Sequence, residues 1–268
     1  MKPGELAESI IDGFAIRDPK DIDVEAISID AGMQVRFRKL DGCSATLLGI
    51  GDRAIATISP SGNRGRDRFS IGHEFGHWSM HRGLSFYCRA ENFGNYTKAD
   101  KLKEKQADEF SSRLLMPTSL LRPKIGKLRV LSLSDLRALA ADFLTSDAAM
   151  AFRVTLLDNF PAILCCYSAE RREWSLPAPM VPSRWRPKEK LDKDTFAHDF
   201  VRGGNTSGSG KQSAEAWFEN SDADRYEIRE ECIPYRSGQV LVLLYLPDEM
   251  LDAPRDWDDW RTRYRKWT

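Results

Sequence analysis

His73-Glu74-Phe75-Gly76-His77 is the stretch that most limits what this chain can become. On a helix, residues four apart lie about 40° apart around the axis and one turn apart along it. His73 and His77 therefore share a face, and both can reach one metal ion. Glu74 is turned about 100° from His73 and about 60° from His77, so it flanks the ion, where a general base for a metal-bound water is needed. His81 continues the series at intervals of four. On an intact helix it is about 12 Å along the axis from His73, too far for both to hold one ion at Zn–N distances near 2.1 Å. It reads as a last-turn residue, helix-terminal or pocket-lining.

The residues from Asp100 to Met116 read as a second helix, anchored by Phe110 and Leu114 and ended by Pro117. Glu104, Ala107, Asp108, Ser111 and Leu115 fall along one side. Glu104 can supply a third, oxygen ligand, completing a two-histidine, one-glutamate set with an open position. Asp108, one turn further on the same face, can accept the remaining ring N–H of a ligand histidine. By itself this charge-rich face is an ordinary solvated helix surface, and the upstream motif is what makes it half of a site. Such a donor set suits zinc, and also manganese or iron. A second electrophile near the oxyanion of an attacked carbonyl has three candidates: His81, Tyr87 and Tyr96. Cys88, in an apolar and aromatic context, reads as a packed residue.

Composition narrows the partners. Lysine plus arginine and aspartate plus glutamate both number 40, a formal charge of zero, which argues against direct DNA binding, since a phosphate-backbone binder carries a basic excess. Acidic residues interrupt the apolar run near the N-terminus, and no apolar stretch is long enough for a bilayer, so neither a signal peptide nor a membrane partner is expected. Five cysteines without framework spacing point to reduced thiols and a cytoplasmic protein.

Upstream of the motif, helices are expected over residues 4–15 and 21–31, the second stopped by Gly32. Three strands follow, at 34–38, 44–50 and 53–59, forming a small, mainly antiparallel sheet. Its edge could hold an extended peptide by main-chain hydrogen bonds.

His73-Glu-Phe-Gly-His77-Trp-Ser-Met-His81, followed by Glu104-Lys-Gln-Ala-Asp-Glu-Phe-Ser-Ser-Arg-Leu-Leu-Met-Pro117, resembles the ImmA/IrrE family of metallopeptidases. The likeness extends over roughly residues 1–157, with serines at 111 and 112 where alanines are common. It implies a compact gluzincin-like fold, His73, His77 and Glu104 as metal ligands, and Glu74 as the catalytic carboxylate. Family members typically cleave or otherwise relieve DNA-binding repressors in stress responses, mobile elements and phages. Residues 139–156 resemble the helix-turn-helix pattern members often carry. Arg153 is the only cation on its second helix, and residues 126–158 balance four basic side chains against four aspartates, so a packing or docking module is expected there.

The expected fold class is α+β. A small antiparallel sheet packs on a two-helix zinc metallopeptidase core (1–125). A helix-turn-helix-like helical segment follows (126–158), then a C-terminal α/β domain with an antiparallel sheet and no identified role (159–268). In that last part a helix is expected over 192–201, a flexible glycine-rich loop over 203–210, strands over 214–219, 224–234 and 239–246, and a hairpin at Ser237-Gly238. Trp257, Trp260, Tyr264 and Trp267 recur at helical spacing in the tail, suiting docking on their own domain or, alternatively, a partner.

Function follows as a zinc-dependent endopeptidase, a hydrolase acting on a repressor-type protein in transcription regulation. The alternative of a different class is a regulator that binds a transcription factor without cutting it. A metal- or ligand-sensing transcription factor is a third, against which the neutral charge of residues 126–158 counts.

Overall fold

The computed structural model describes residues 1–82, 86–89 (backbone only), 98–204 and 208–252. The aromatic tail expectation, Tyr96, and part of the 203–210 segment lie outside the described residues. The chain forms two compact units, one of Met1–Lys124 with Leu139–Ala149, the other of Ile125–Ala138 with the chain from Met150 onward.

In the first unit, α1 (Pro3–Gly13) begins with proline at its first position, where the missing N–H has no helical partner to lose. A 3-10 turn at Pro19–Asp21 leads into α2 (Val24–Asp30), capped by Asp23, whose carboxylate accepts from the Glu25 and Ala26 amides at 3.1 Å. Gly32 ends this helix at φ +85, and the Asp52 carbonyl oxygen lies 2.7 Å from where a Cβ would stand. Only glycine meets both conditions.

The expected strands are β1 (Met33–Phe37), β2 (Cys43–Ile50) and β3 (Arg53–Ile58). The sheet has one strand more than the three expected, and it is mainly antiparallel as expected, with a single parallel pair. A fourth strand, β4 (Phe86–Arg89), pairs with β2, and the order is β1-β3-β2-β4 with β1 parallel to β3. The cause is topological: β2 and β3 close a tight hairpin, Ile50 opposite Arg53, and β3 then lies between β1 and β2. Ala45, Leu47, Ala54, Ala56 and Ile58 are buried on the inner face.

Next comes α3 (Arg64–Met80), capped by Asn63, whose side chain accepts from the Arg66 amide at 3.1 Å. Ile71, Phe75 and Trp78 are buried, and the Trp78 indole N–H donates to the Ala31 carbonyl at 2.8 Å. Its partner is α4 (Lys98–Leu115). The two glycines of α3 explain how closely the helices approach. A Cβ at Gly72 would stand 2.5 Å from Ser111 Oγ, and one at Gly76 would stand 3.1 Å from the Ala107 Cα. Ser111 Oγ in turn donates to the Phe69 carbonyl at 2.9 Å, stitching α4 to α3. On the other side of α4, Arg113 donates to Glu8 of α1 at 2.8 Å.

Three helices follow: α5 (Thr118–Ile125), α6 (Leu133–Asp142) and α7 (Asp147–Leu156). Leu144, at φ +52, lies in the short link between the last two.

The second unit is built on a five-stranded sheet, wholly antiparallel, in the order β6-β5-β9-β8-β7. Its strands are β5 (Ala162–Ser168), β6 (Arg172–Pro177), β7 (Gly208–Ser213), β8 (Glu227–Pro234) and β9 (Gln239–Tyr245), with α8 (Phe196–Val201) between β6 and β7. β5 and β9 are central and buried on both faces, so they read as unbroken apolar runs. Trp185, Trp217, Phe218 and Tyr167 dominate one face.

Three local expectations change here. The helix expected from 192 starts at Phe196, after its cap Thr195. Residues 208–210, expected in a loop, begin β7. Their glycines make room for a ring, because a Cβ at Gly208 or Gly210 would meet the Phe196 side chain at 2.5 and 3.0 Å. Ala214–Ala216, expected in a strand, is a 3-10 turn capped by Ser213. Among the described residues Cys43, Cys165, Cys166 and Cys232 are free thiols, and no helix is long and apolar enough to cross a membrane.

Two adjacent glutamates of β8 close two helix starts. Glu230, wholly buried, accepts from the Ala197 amide of α8 at 2.8 Å and from the Trp217 indole at 3.2 Å. Glu231 accepts from the Leu133 amide of α6 at 2.7 Å. Neighbours on a strand point to opposite faces, so one residue pair serves both sides of the sheet. Burial pushes the Glu230 carboxyl up to about 7 despite its N–H donors. Its folded value lies above the ordinary 4.5, so the stabilisation is full below about 4.5 and is lost as pH rises through about 7. The loss is on the order of 3 kcal/mol. Glu230→Gln is therefore expected to flatten the change in urea midpoint between about pH 5 and about pH 8. A variant with the wild-type pH dependence would show that this carboxyl is not responsible.

Candidate metal centre

The local sequence of α3 and α4 sets the site. His73 and His77 are successive turns of α3, and the glycines at 72 and 76 let α4 come close enough to bring Glu104 between them. His73 Nε2 and His77 Nε2 stand 3.1 Å apart. Glu104 Oε2 lies 3.2 Å from the first and Oε1 lies 3.5 Å from the second. One ligand atom from each of the three residues falls within 4.8 Å of the others. These separations match the roughly 3.4 Å edges of a tetrahedron with 2.1 Å bonds. Two ring nitrogens at 3.1 Å cannot both carry hydrogens pointed at each other, so at least one lone pair faces the cluster. The donor set and its spacing fit a divalent cation such as zinc.

Electrostatics favour the ligating forms. His77 has no exposed side-chain surface, His73 is 12% exposed and Glu104 30%, so the cluster opens toward solvent on the glutamate side. Burial pushes the His77 imidazole below its ordinary value, keeping it neutral. For Glu104 burial pulls the carboxyl up, but hydrogen bonds from His73 and His77 outweigh it and hold it at about 2. A neutral imidazole and an ionised carboxylate are what a cation requires.

Around this cluster, Asp108 Oδ1 accepts from His73 Nδ1 at 2.9 Å, which leaves Nε2 directed at the other ligand atoms. Glu74 is wholly buried on α3 between the two histidines in sequence. His81 caps the C-terminus of α3, its amide donating to the His77 carbonyl at 2.8 Å. Its ring stands on the far side of His77, Nδ1 to Nδ1 at 3.2 Å, and its Nε2 is 3.0 Å from Gln106 Oε1. Tyr87 is described only through the backbone of β4, opposite Thr46. Gln106 is the residue at this site that the helical-face argument passes over.

A family model, the IrrE N-terminal-like domain of peptidase family M78, matches residues 20–155, just over half of the chain. No curated protein sequence gives a significant match. Among solved structures, a Mycobacterium tuberculosis transcriptional regulator superposes with a TM-score of 0.65 at 12% identity, over 91% of this chain and 76% of that one. At that identity the likeness bears on the fold. The histidine pair, the glutamate brought to it by α4 and the family match over both helices lead to one assignment: the chain belongs to the ImmA/IrrE family of metallopeptidases.

Proposed function

We propose that this chain is a cytoplasmic zinc-dependent endopeptidase that cuts a regulatory protein, of the DNA-binding repressor type. The observation that carries the reading is the convergence of His73 Nε2, His77 Nε2 and a Glu104 oxygen, with the wholly buried Glu74 next to His73 on the same helix. When bound, a divalent cation supplies Lewis-acid activation of water and of the scissile carbonyl. Glu74 accepts the proton as water attacks and returns it to the leaving amine. Asp108 holds the His73 ring in the orientation that directs Nε2 inward.

Direct DNA binding has little to support it, because Arg153, the one cation on α7, is 4% exposed. The printed description of the structural neighbour as a transcriptional regulator is consistent with a role in regulation. The test is incubation of the purified chain with candidate repressors, with and without added zinc or manganese, and mapping of any cleaved bond. A defined, metal-dependent cut is expected. Removal of repression with every candidate intact would favour a binding regulator.

A further inference from the structure

We infer that His81 and Gln106 are positioning residues for the metal centre, acting together to hold the His77 ring in its metal-binding tautomer. The inference rests on the metal reading of the cluster and adds two residues to it.

The three side chains form a line leading away from the cluster. His77 turns Nε2 toward His73 and Glu104, and turns Nδ1 toward His81 Nδ1 at 3.2 Å. His81 then presents Nε2 to Gln106 Oε1 at 3.0 Å. A neutral imidazole carries one N–H and one lone pair, so the two hydrogen bonds of the line can be ordered in only two ways. In the first, His81 Nε2–H donates to the Gln106 carbonyl oxygen, His77 Nδ1–H donates to the His81 Nδ1 lone pair, and the His77 Nε2 lone pair faces the cluster. In the second, the amide is turned over and its NH₂ donates to His81 Nε2. His81 Nδ1–H then donates to His77 Nδ1, and the remaining hydrogen sits on His77 Nε2, pointing into the cluster. That arrangement excludes a cation. The structure turns the Oε1 end of the Gln106 amide to His81, the orientation that goes with the first ordering, in which His77 is a ligand.

Asp108 performs the same task for His73 with a single acceptor-only carboxylate. His77 is wholly buried and reaches its fixing group through a second imidazole instead. His81 is placed for this by its position one turn after His77, at the C-cap of α3. Gln106 comes from α4, the helix that also supplies Glu104 and Asp108.

The test is zinc affinity of the full chain, measured by competition with a chromophoric chelator. The proteins are wild type, Gln106→Met, Gln106→Glu, His81→Phe and His73→Ala. Methionine matches glutamine in length and makes no strong hydrogen bond, whereas a carboxylate can only accept and enforces the first ordering. Gln106→Met and His81→Phe are expected to bind zinc about 10- to 100-fold more weakly, and Gln106→Glu as tightly as wild type. The thermal midpoint of zinc-free Gln106→Met is expected to equal that of wild type, which separates positioning from a packing role. In zinc-loaded protein labelled with ¹⁵N-histidine, a scalar coupling between the two Nδ1 atoms is expected across the N–H···N bond. Wild-type affinity in Gln106→Met, or an equal loss in Gln106→Glu and Gln106→Met, would overturn the inference. If His73→Ala abolishes binding in that experiment, the metal reading stands while the relay falls. If wild type itself binds no zinc, both fall together.

Discussion

Glu74→Gln is expected to bind zinc as tightly as the wild-type chain and to cleave its substrate about a hundred- to ten-thousandfold more slowly. The exchange of one oxygen for an NH₂ keeps size and shape, and Glu74 is not among the three residues whose atoms converge on the ion site. What it removes is a proton acceptor. Glu74 is completely buried, so a base from bulk solvent has no ready route to its place. The comparison separates the two leading functions. For a peptidase, relief of the regulated promoter disappears with cleavage. For a regulator that works by binding, relief survives the substitution, since the surface presented to a partner is unchanged. Cleavage by Glu74→Gln at the wild-type rate, with zinc bound, would leave the proposed mechanism without its base. The measurement is a time course of substrate cleavage under single-turnover conditions, paired with chelator competition on the same preparations.

The clearest parts of this molecule in the sequence are those where one local rule decides the outcome. The period of a helix puts His73 and His77 on one face, and the same period carries the argument from Glu104 to Asp108. Gln106 escapes it. It lies about 160° around α4 from Glu104 and matters only because His81 extends the site sideways to meet it. Strand β1 was legible as a strand but not in direction, because pairing β1 with β3 depends on which strand the hairpin places beside it. Glycine was the residue most easily misread. Gly208 and Gly210 look like flexibility in a run of Gly, Ser, Asn and Thr, yet their lack of a side chain is what lets Phe196 pack across β7. Gly72 and Gly76 lie within a helix, where glycine is otherwise unfavourable by about 1 kcal/mol, and their missing side chains are what let α4 approach.

Glu104→Ala is expected to weaken zinc binding by at least about a thousandfold, or about 4 kcal/mol. Glu104 supplies the only negative charge among the three converging residues, and His77 is kept neutral by burial. Without it a doubly charged ion would be held by two neutral rings in a partly buried place, where charge is least well solvated. The carboxylate also comes from a different helix from the histidines, so its loss uncouples the ion from α4. Folding stability gives the readout. At zinc about a thousandfold above the wild-type Kd, bound metal adds about 4 kcal/mol to the native state. If Glu104→Ala raises Kd a thousandfold, the same zinc adds only about 0.4 kcal/mol, and the zinc-induced rise in thermal midpoint nearly vanishes. His81→Ala, which raises Kd about 10- to 100-fold if His81 acts through His77, keeps about 1.4 to 2.7 kcal/mol of that stabilisation. The order of the two variants therefore identifies the third ligand. Should Glu104→Ala keep the zinc-induced shift while His81→Ala erases it, Glu104 would not be a ligand and the clamp between α3 and α4 would fall.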